Sequence, residues 1–324
     1  MNIVALDDYQ DAFRSTSHYG RLKEHKVTVY TDPEKDPDRS GSRVADADIV
    51  ILTQQRTRFP RSVIEKATKL KFISQTGRNT SHIDMEACNE RRILVSAVAG
   101  GQPYSTVELT WGLIIAALRH VPYEIARLKA GYWQSTMGVR LQGRTLGIYA
   151  YGRIGSLVAR VGQAFGMKVV CWGREGSTMR AKADGYDVAA NRDAFFSECD
   201  VISLHLPLNE STRGIVTADD LARMKPTALF VNTSRAPIIA EGALAQALKN
   251  GHPGFGAVDV FENEPVLGGN HPLLHLQNAI CTPHLGYVTA ETLEVHYRDA
   301  VNQILAFVSG KPINAVNPVV LAGG

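Results

Sequence analysis

Thr145-Leu146-Gly147-Ile148-Tyr149-Ala150-Tyr151-Gly152-Arg153-Ile154-Gly155 decides how this chain is read. An apolar run of strand length enters a glycine turn, and Ile154, Leu157, Val158, Val161 and Phe165 then recur at helical spacing before a second strand at 168–172. Strand, tight turn, amphipathic helix and strand form the context in which a glycine fingerprint signals dinucleotide binding. Gly152 lets backbone approach a pyrophosphate, the helix start offers free N–H groups, and Gly155 permits close packing of helix on strand. Tyr151, Gly152, Arg153, Ile154 and Gly155 are therefore candidate cofactor contacts. Ala150 stands where the usual G-x-G-x-x-G has its first glycine, which weakens the motif because alanine does not reach positive φ cheaply.

The end of the second strand bears on which nucleotide is bound. An NAD site normally places Asp or Glu there for the ribose hydroxyls. Here the strand ends in Gly173, followed by Arg174, Glu175, Gly176 and Ser177. A 2′-phosphate meets no carboxylate at Gly173 and finds a partner in Arg174, helped by Ser177, so NADP(H) is preferred over NAD(H). The alternative leaves Arg174 as a solvated charge with Glu175 in the acid's place.

Outward from this unit, short β-branched runs at 2–6, 26–30, 48–53, 71–75 and 93–96 alternate with helix-like segments. The rhythm returns at 145–149, 168–172, 201–205, 228–232, 255–260 and 279–282. Strands alternating with helices predict two parallel α/β sheets. Residues 106–118 are apolar nearly all round, as in a helix buried on most sides. Residues 290–308 read as an amphipathic helix and 311–321 as a Pro- and Asn-containing tail.

Composition narrows the function classes. A chain of 324 residues has room for two domains of ordinary size. No apolar run approaches the roughly 20 residues of a membrane span, and Asp7 and Asp8 stand where a secretory signal would be apolar, so a cytoplasmic protein is expected. Cys88, Cys171, Cys199 and Cys281 lack metal-ligand or paired spacing, so no metal is expected. The net charge of +3 comes from interleaved charges and leaves no nucleic-acid footprint.

Three polar residues in turn-rich contexts carry chemistry: Arg235 in Val-Asn-Thr-Ser-Arg-Ala, Glu264 in Asp-Val-Phe-Glu-Asn-Glu-Pro, and His284 in Thr-Pro-His-Leu-Gly. Singly, they read as a surface charge, a turn residue and a core histidine. Together they supply an anion anchor, a carboxylate and an imidazole, the parts needed to bind an acid and move a proton near neutral pH.

With these residues in their flanks, and with 71–77, 146–155, 200–208, 224–236, 256–265 and 282–286 in order, the chain resembles the D-isomer-specific 2-hydroxyacid dehydrogenases. Glyoxylate/hydroxypyruvate reductases and phosphoglycerate dehydrogenases belong to that family. The resemblance implies two doubly wound parallel-sheet α/β domains: a discontinuous, flavodoxin-like substrate domain of residues 1–100 and 288–324, and a Rossmann cofactor domain of residues 101–287, with the substrate between them. It implies that a hydride passes between a nicotinamide and a small 2-ketoacid or D-2-hydroxyacid. Arg235 then binds the substrate's carboxylate and carbonyl oxygen, and His284 is the general acid/base. Glu264 hydrogen-bonds His284 and balances the charge of its imidazolium form.

By the same resemblance Asp259 holds the nicotinamide carboxamide, and His205, Leu206 and Pro207 lie along the cofactor. Thr212, Thr233, Ser234 and Gly286 line the same side. The turn Gly77, Arg78 and Asn79 presents N–H groups to the substrate carboxylate. Arg78 and Asn79 depart from the small or apolar residues more often found there, so Arg78 either influences substrate choice by pairing with a second anionic group or is a solvent-facing guanidinium. A homodimer is implied, with residues 132–141 reaching the partner. Two rival functions are a nucleotide-sensing corepressor and a same-fold dehydrogenase of formate or phosphite. Which ketoacid is used stays open.

Overall fold

The β-branched runs become two parallel sheets in the computed structural model, which describes residues 1–98 and 102–322. The first holds β1 (Asn2–Leu6), β2 (Lys26–Val29), β3 (Ile49–Leu52), β4 (Phe72–Gln75) and β5 (Leu94–Ala97), in the order β2-β1-β3-β4-β5. That is the doubly wound order of flavodoxin-like folds, with its reversal between β1 and β3. Every residue of β3 and β4 is buried, which explains why they read as unbroken apolar runs: helices cover both faces.

Alternation along the strands sorts the core into two layers. Val4, Leu6, Val50, Leu52, Ile73 and Val95 pack with Val63, Ile64 and Ala87 of the helices Arg61–Lys66 and Met85–Glu90. Ile3, Ala5, Ile49, Ile51 and Phe72 turn the other way, onto Leu293, Tyr297, Ala300, Val301 and Ile304 of the helix Ala290–Val308. The C-terminal helix thus completes the N-terminal sheet. The tail beyond it, expected as irregular chain, is stitched to β5: Ser96 bridges Ala315 antiparallel, and Val95 N–H donates to Asn317 Oδ1 at 2.8 Å.

The second sheet holds β6 (Thr145–Tyr149), β7 (Lys168–Trp172), β8 (Asp187–Val188), β9 (Val201–Leu204), β10 (Leu229–Asn232), β11 (Phe255–Val258) and β12 (Ala279–Cys281). Its order is β12-β11-β10-β9-β6-β7-β8, all parallel, reversing between β6 and β9 as in a Rossmann fold. β8 was not expected from the sequence, since two residues carry no periodicity. The helix Tyr104–Leu118 buries Val107, Thr110, Trp111, Leu113, Ile114, Ala117 and Leu118, leaving one exposed stripe of Tyr104, Glu108, Gly112 and Ile115.

The chain divides into two compact units, Met1–Gln102 with Val288–Gly324, and Pro103–Tyr287. The boundary expected between Gly100 and Gly101 lies outside the described residues. Among the described residues, no helix is long and apolar enough to cross a membrane, and no cluster of His, Cys, Asp and Glu is placed to hold a metal ion.

Candidate active site

Because all strands of the second sheet are parallel, the loops that follow β6, β7, β9, β10, β11 and β12 leave from one edge, where open α/β sheets bind ligands. The loop after β6 is the glycine turn. Ala150 takes φ +76°, the left-handed region, and its N–H donates to Trp172 O at 2.8 Å. The turn closes with Gly152 N–H on Ala150 O at 3.0 Å, and Gly155 packs beneath it so closely that a Cβ would lie 2.4 Å from that carbonyl oxygen. The helix Arg153–Ala164 starts at Gly152 with no side-chain cap, and the space where a Cβ of Gly152 would stand is open. First-turn N–H groups such as those of Arg153 and Ile154 have no intrahelical acceptor, so this uncapped helix start suits a pyrophosphate.

Tyr151 and Ser177 brace that turn. Tyr151 N–H donates to Ser177 Oγ at 2.7 Å, and the Tyr151 hydroxyl donates to Asp184 Oδ2 at 2.5 Å. Burial, with the Asp184 carboxylate adding, pushes the Tyr151 phenol up. At the end of β7, Arg174 and Glu175 are both exposed, and the Arg174 guanidinium donates to Ser211 Oγ in the loop after β9. In that loop His205 N–H donates to Tyr149 O at 2.9 Å, and burial pushes the His205 ring down to about 3. Leu206 is half-buried and Pro207 exposed. Thr212, itself buried, donates through Oγ1 to Pro207 O at 2.6 Å and fixes the loop.

After β10, Asn232 shapes the loop of Thr233, Ser234 and Arg235. Its side chain accepts from Ser234 N–H at 3.0 Å and donates to Arg235 O at 3.0 Å. Ser234 Oγ donates to Leu204 O at 2.7 Å, tying the loop to the end of β9, and Thr233 Oγ1 lies 2.8 Å from Thr110 Oγ1. Arg235 Nη1 donates to Ser234 O at 2.7 Å.

The loops after β11 and β12 meet. Glu264 accepts Phe261 N–H through Oε1 at 2.9 Å, and its Oε2 stands 2.5 Å from His284 Nδ1. His284 has φ +53°, a strained conformation that persists only when its surroundings impose it. Asp259 imposes it. This fully buried carboxylate accepts Thr282 Oγ1 at 2.6 Å and Leu285 N–H at 2.7 Å through Oδ1, and Gly286 N–H at 2.8 Å through Oδ2. Burial pushes Asp259 upward against those three donors and the field of His284. Thr106 Oγ1 completes the clamp by donating to Gly286 O at 2.9 Å. With Nδ1 held by a carboxylate, Nε2 is the nitrogen of His284 left to exchange a proton.

The residues 77–79 belong to the first unit, after β4. Asn79 accepts Ser81 N–H through Oδ1 at 2.8 Å, its carbonyl accepts Gln75 Nε2 at 3.2 Å, and Arg78 is exposed. Of the residues that hold these loops, Asn232 had a readable signal, an Asn at a strand end two residues before Ser. Thr106, Thr110, Ser211 and Thr282 act across the fold and leave no local pattern. Burial pushes the Cys88, Cys171 and Cys199 thiols up to about 12 and Cys281 up to about 11, which makes them inert.

Residues 111–286 match the profile of the NAD binding domain of D-isomer specific 2-hydroxyacid dehydrogenases. The chain belongs to the D-isomer-specific 2-hydroxyacid dehydrogenase family. A glyoxylate reductase of Aeropyrum pernix is 37% identical over 298 residues, covering 89% of this chain and 88% of that one. A D-3-phosphoglycerate dehydrogenase of Methanocaldococcus jannaschii is 37% identical over 271 residues, 83% of this chain but only 51% of that longer protein. The crystal structure of an oxidoreductase from Ralstonia solanacearum, provisionally assigned as a D-3-phosphoglycerate dehydrogenase, superposes with a TM-score of 0.95 at 46% identity, covering 99% of this chain and 98% of that one. This family member is therefore an oxidoreductase that uses a nicotinamide cofactor with a 2-ketoacid or D-2-hydroxyacid, and a corepressor role is not favoured.

Proposed function

We propose that the chain interconverts a small 2-ketoacid and its D-2-hydroxyacid with His284 as proton carrier. The observation that carries this reading is the 2.5 Å contact of His284 Nδ1 with Glu264, which leaves Nε2 as the exchanging nitrogen. The glycine turn and residues 205–207 would hold the dinucleotide, whose nicotinamide would supply or take the hydride when bound. In reduction His284 gives its Nε2 proton to the nascent alkoxide, and in oxidation the neutral ring takes the hydroxyl proton. Arg235 offers a forked donor that orients the acid and polarises its carbonyl. The turn Gly77, Arg78 and Asn79 supplies N–H groups to the carboxylate, which makes the first unit the substrate domain.

We infer that NADP(H) is preferred. Gly173 brings no carboxylate to the end of β7, and Arg174 supplies a guanidinium beside it. A homodimer is the assembly we propose. Val121, Tyr123, Ile125 and Leu128 are exposed on one helix. Trp133, 78% exposed, lines a shallow pocket with Val121, Ile125 and Leu128, and Met137 further along the chain is 93% exposed, apolar surface of the kind that marks an interface. Sedimentation of Trp133→Glu as a monomer would support it, and sedimentation of the wild type as a monomer would refute it.

The functional test is oxidation of NADPH and of NADH with glyoxylate, hydroxypyruvate, pyruvate, phenylpyruvate and 2-ketoglutarate. Turnover of at least one acid, faster with NADPH, is expected. No turnover with any acid would contradict the reading, and a clear preference for NADH would remove the cofactor assignment alone.

A further inference from the structure

Gln54 follows β3 at the edge of the first sheet, beside the β1/β3 reversal where doubly wound sheets hold ligands. Its φ is +52°, a conformation that costs a non-glycine residue about 1 kcal/mol or more. The surroundings enforce it. Gln54 N–H donates to Thr76 Oγ1 at 2.9 Å, and Gln54 O accepts Gln75 Nε2 at 2.8 Å. Both partners are buried, Gln75 fully and Thr76 to within 2%.

The side chain is fixed as well. Gln54 Nε2 lies 3.1 Å from Nε2 of His296 on the helix Ala290–Val308. Burial, with Arg56 adding, pushes His296 down to about 4, so the ring is neutral and its Nε2 accepts from the amide. That orientation turns Gln54 Oε1 toward Gly77, where a Cβ would lie 2.6 Å from it. Gly77 has no side chain, and the amide occupies that space. The described donor to Oε1, Gln55 Nε2, stands 3.4 Å away, a long contact that leaves the oxygen able to accept another bond.

An uncharged acceptor is thus fixed against the turn of residues 77–79. A carbonyl oxygen there accepts a hydroxyl proton, repels a phosphate or a second carboxylate, and leaves a methyl group unmatched. We propose that Gln54 is a specificity residue that selects 2-ketoacids bearing an uncharged hydroxyl on the carbon next to the carbonyl. This rests on the reading that residues 77–79 bind the substrate carboxylate.

The test is kcat/KM for hydroxypyruvate, pyruvate and 2-ketoglutarate in the wild type, Gln54→Leu and Gln54→Asn. The wild type should favour hydroxypyruvate over pyruvate by about tenfold, the worth of one hydrogen bond to an uncharged group. Gln54→Leu, which gives up the His296 contact together with the hydroxyl contact, should erase that ratio, read as the hydroxypyruvate-to-pyruvate quotient within the one variant. Asparagine tolerates the left-handed backbone but draws the amide back, so Gln54→Asn should lower the ratio even if the leucine variant does not fold. An unchanged ratio in whichever variants fold overturns the proposal. A wild-type preference for 2-ketoglutarate also overturns it and gives the choice to Arg78. A wild type inactive on all three acids would instead sink the reading of residues 77–79.

Discussion

His284 Nδ1 lies 2.5 Å from Glu264 Oε2, and the other oxygen of that carboxylate is fixed by Phe261 N–H. The carboxylate sets which ring nitrogen exchanges protons and balances the charge of the imidazolium. Glu264→Gln keeps the shape and removes the charge. It should lower kcat by about 10²-fold with little change in cofactor affinity. Steady-state kinetics with fluorescence titration of the cofactor would check this, and a variant with wild-type kcat would remove Glu264 from the mechanism.

Asp259 is the second hold on His284, acting through Thr282, Leu285 and Gly286. In Asp259→Asn one oxygen becomes an NH2 group, and a donor faces a backbone N–H. We expect a loss of about 2 kcal/mol, in the range for hydrogen bonds to a charged group, together with reduced kcat. Urea unfolding alongside kinetics would separate the two effects. Unchanged stability would mean that Asp259 does not hold the loop.

Ala150 sits at φ +76° without being glycine. Left-handed backbone costs such a residue roughly 1–2 kcal/mol, whereas glycine loses roughly 0.5–1 kcal/mol of chain entropy on folding. Ala150→Gly should therefore stabilise the protein by about 0.5 kcal/mol, by the difference of those two terms, and Ala150→Val should destabilise it. A lower unfolding midpoint for the glycine variant would show that the turn is unstrained.

These cases mark what the sequence could convey. The strands were legible because parallel strands covered on both faces need continuous β-branched runs, and β3 (Ile-Val-Ile-Leu) is the clearest. β8 was not, because a strand of two residues, Asp187 and Val188, is too short to show any periodicity. Glu264 and His284 stood out by their flanks, and the structure brings them together. Asp259 was expected to serve the nicotinamide, and its oxygens also hold the His284 loop. That task is invisible in sequence, since its partners include backbone N–H groups that any residue carries. Ser177, read as helping Arg174 with a 2′-phosphate, also accepts Tyr151 N–H through Oγ.

Stability should fall in mild acid. Burial holds His82 and His296 at about 4, against the unfolded value near 6.5. Below pH 6.5 the unfolded chain takes up protons that the native rings refuse, so stability present above that pH is lost progressively down to about pH 4. Each ring contributes at most about 1.4 kcal/mol per pH unit in that window. Denaturant titrations at pH 7.5, 6 and 5 should show a falling midpoint, and His82→Phe should flatten the slope. A midpoint independent of pH across that range would contradict the burial of these rings.

The central claim is that His284 carries the proton during 2-ketoacid reduction. Its most direct test is single-turnover NADPH oxidation by His284→Gln, with cofactor affinity measured on the same sample. The account predicts a rate about 10²–10⁴-fold below wild type with cofactor binding intact; a near-normal rate would contradict it.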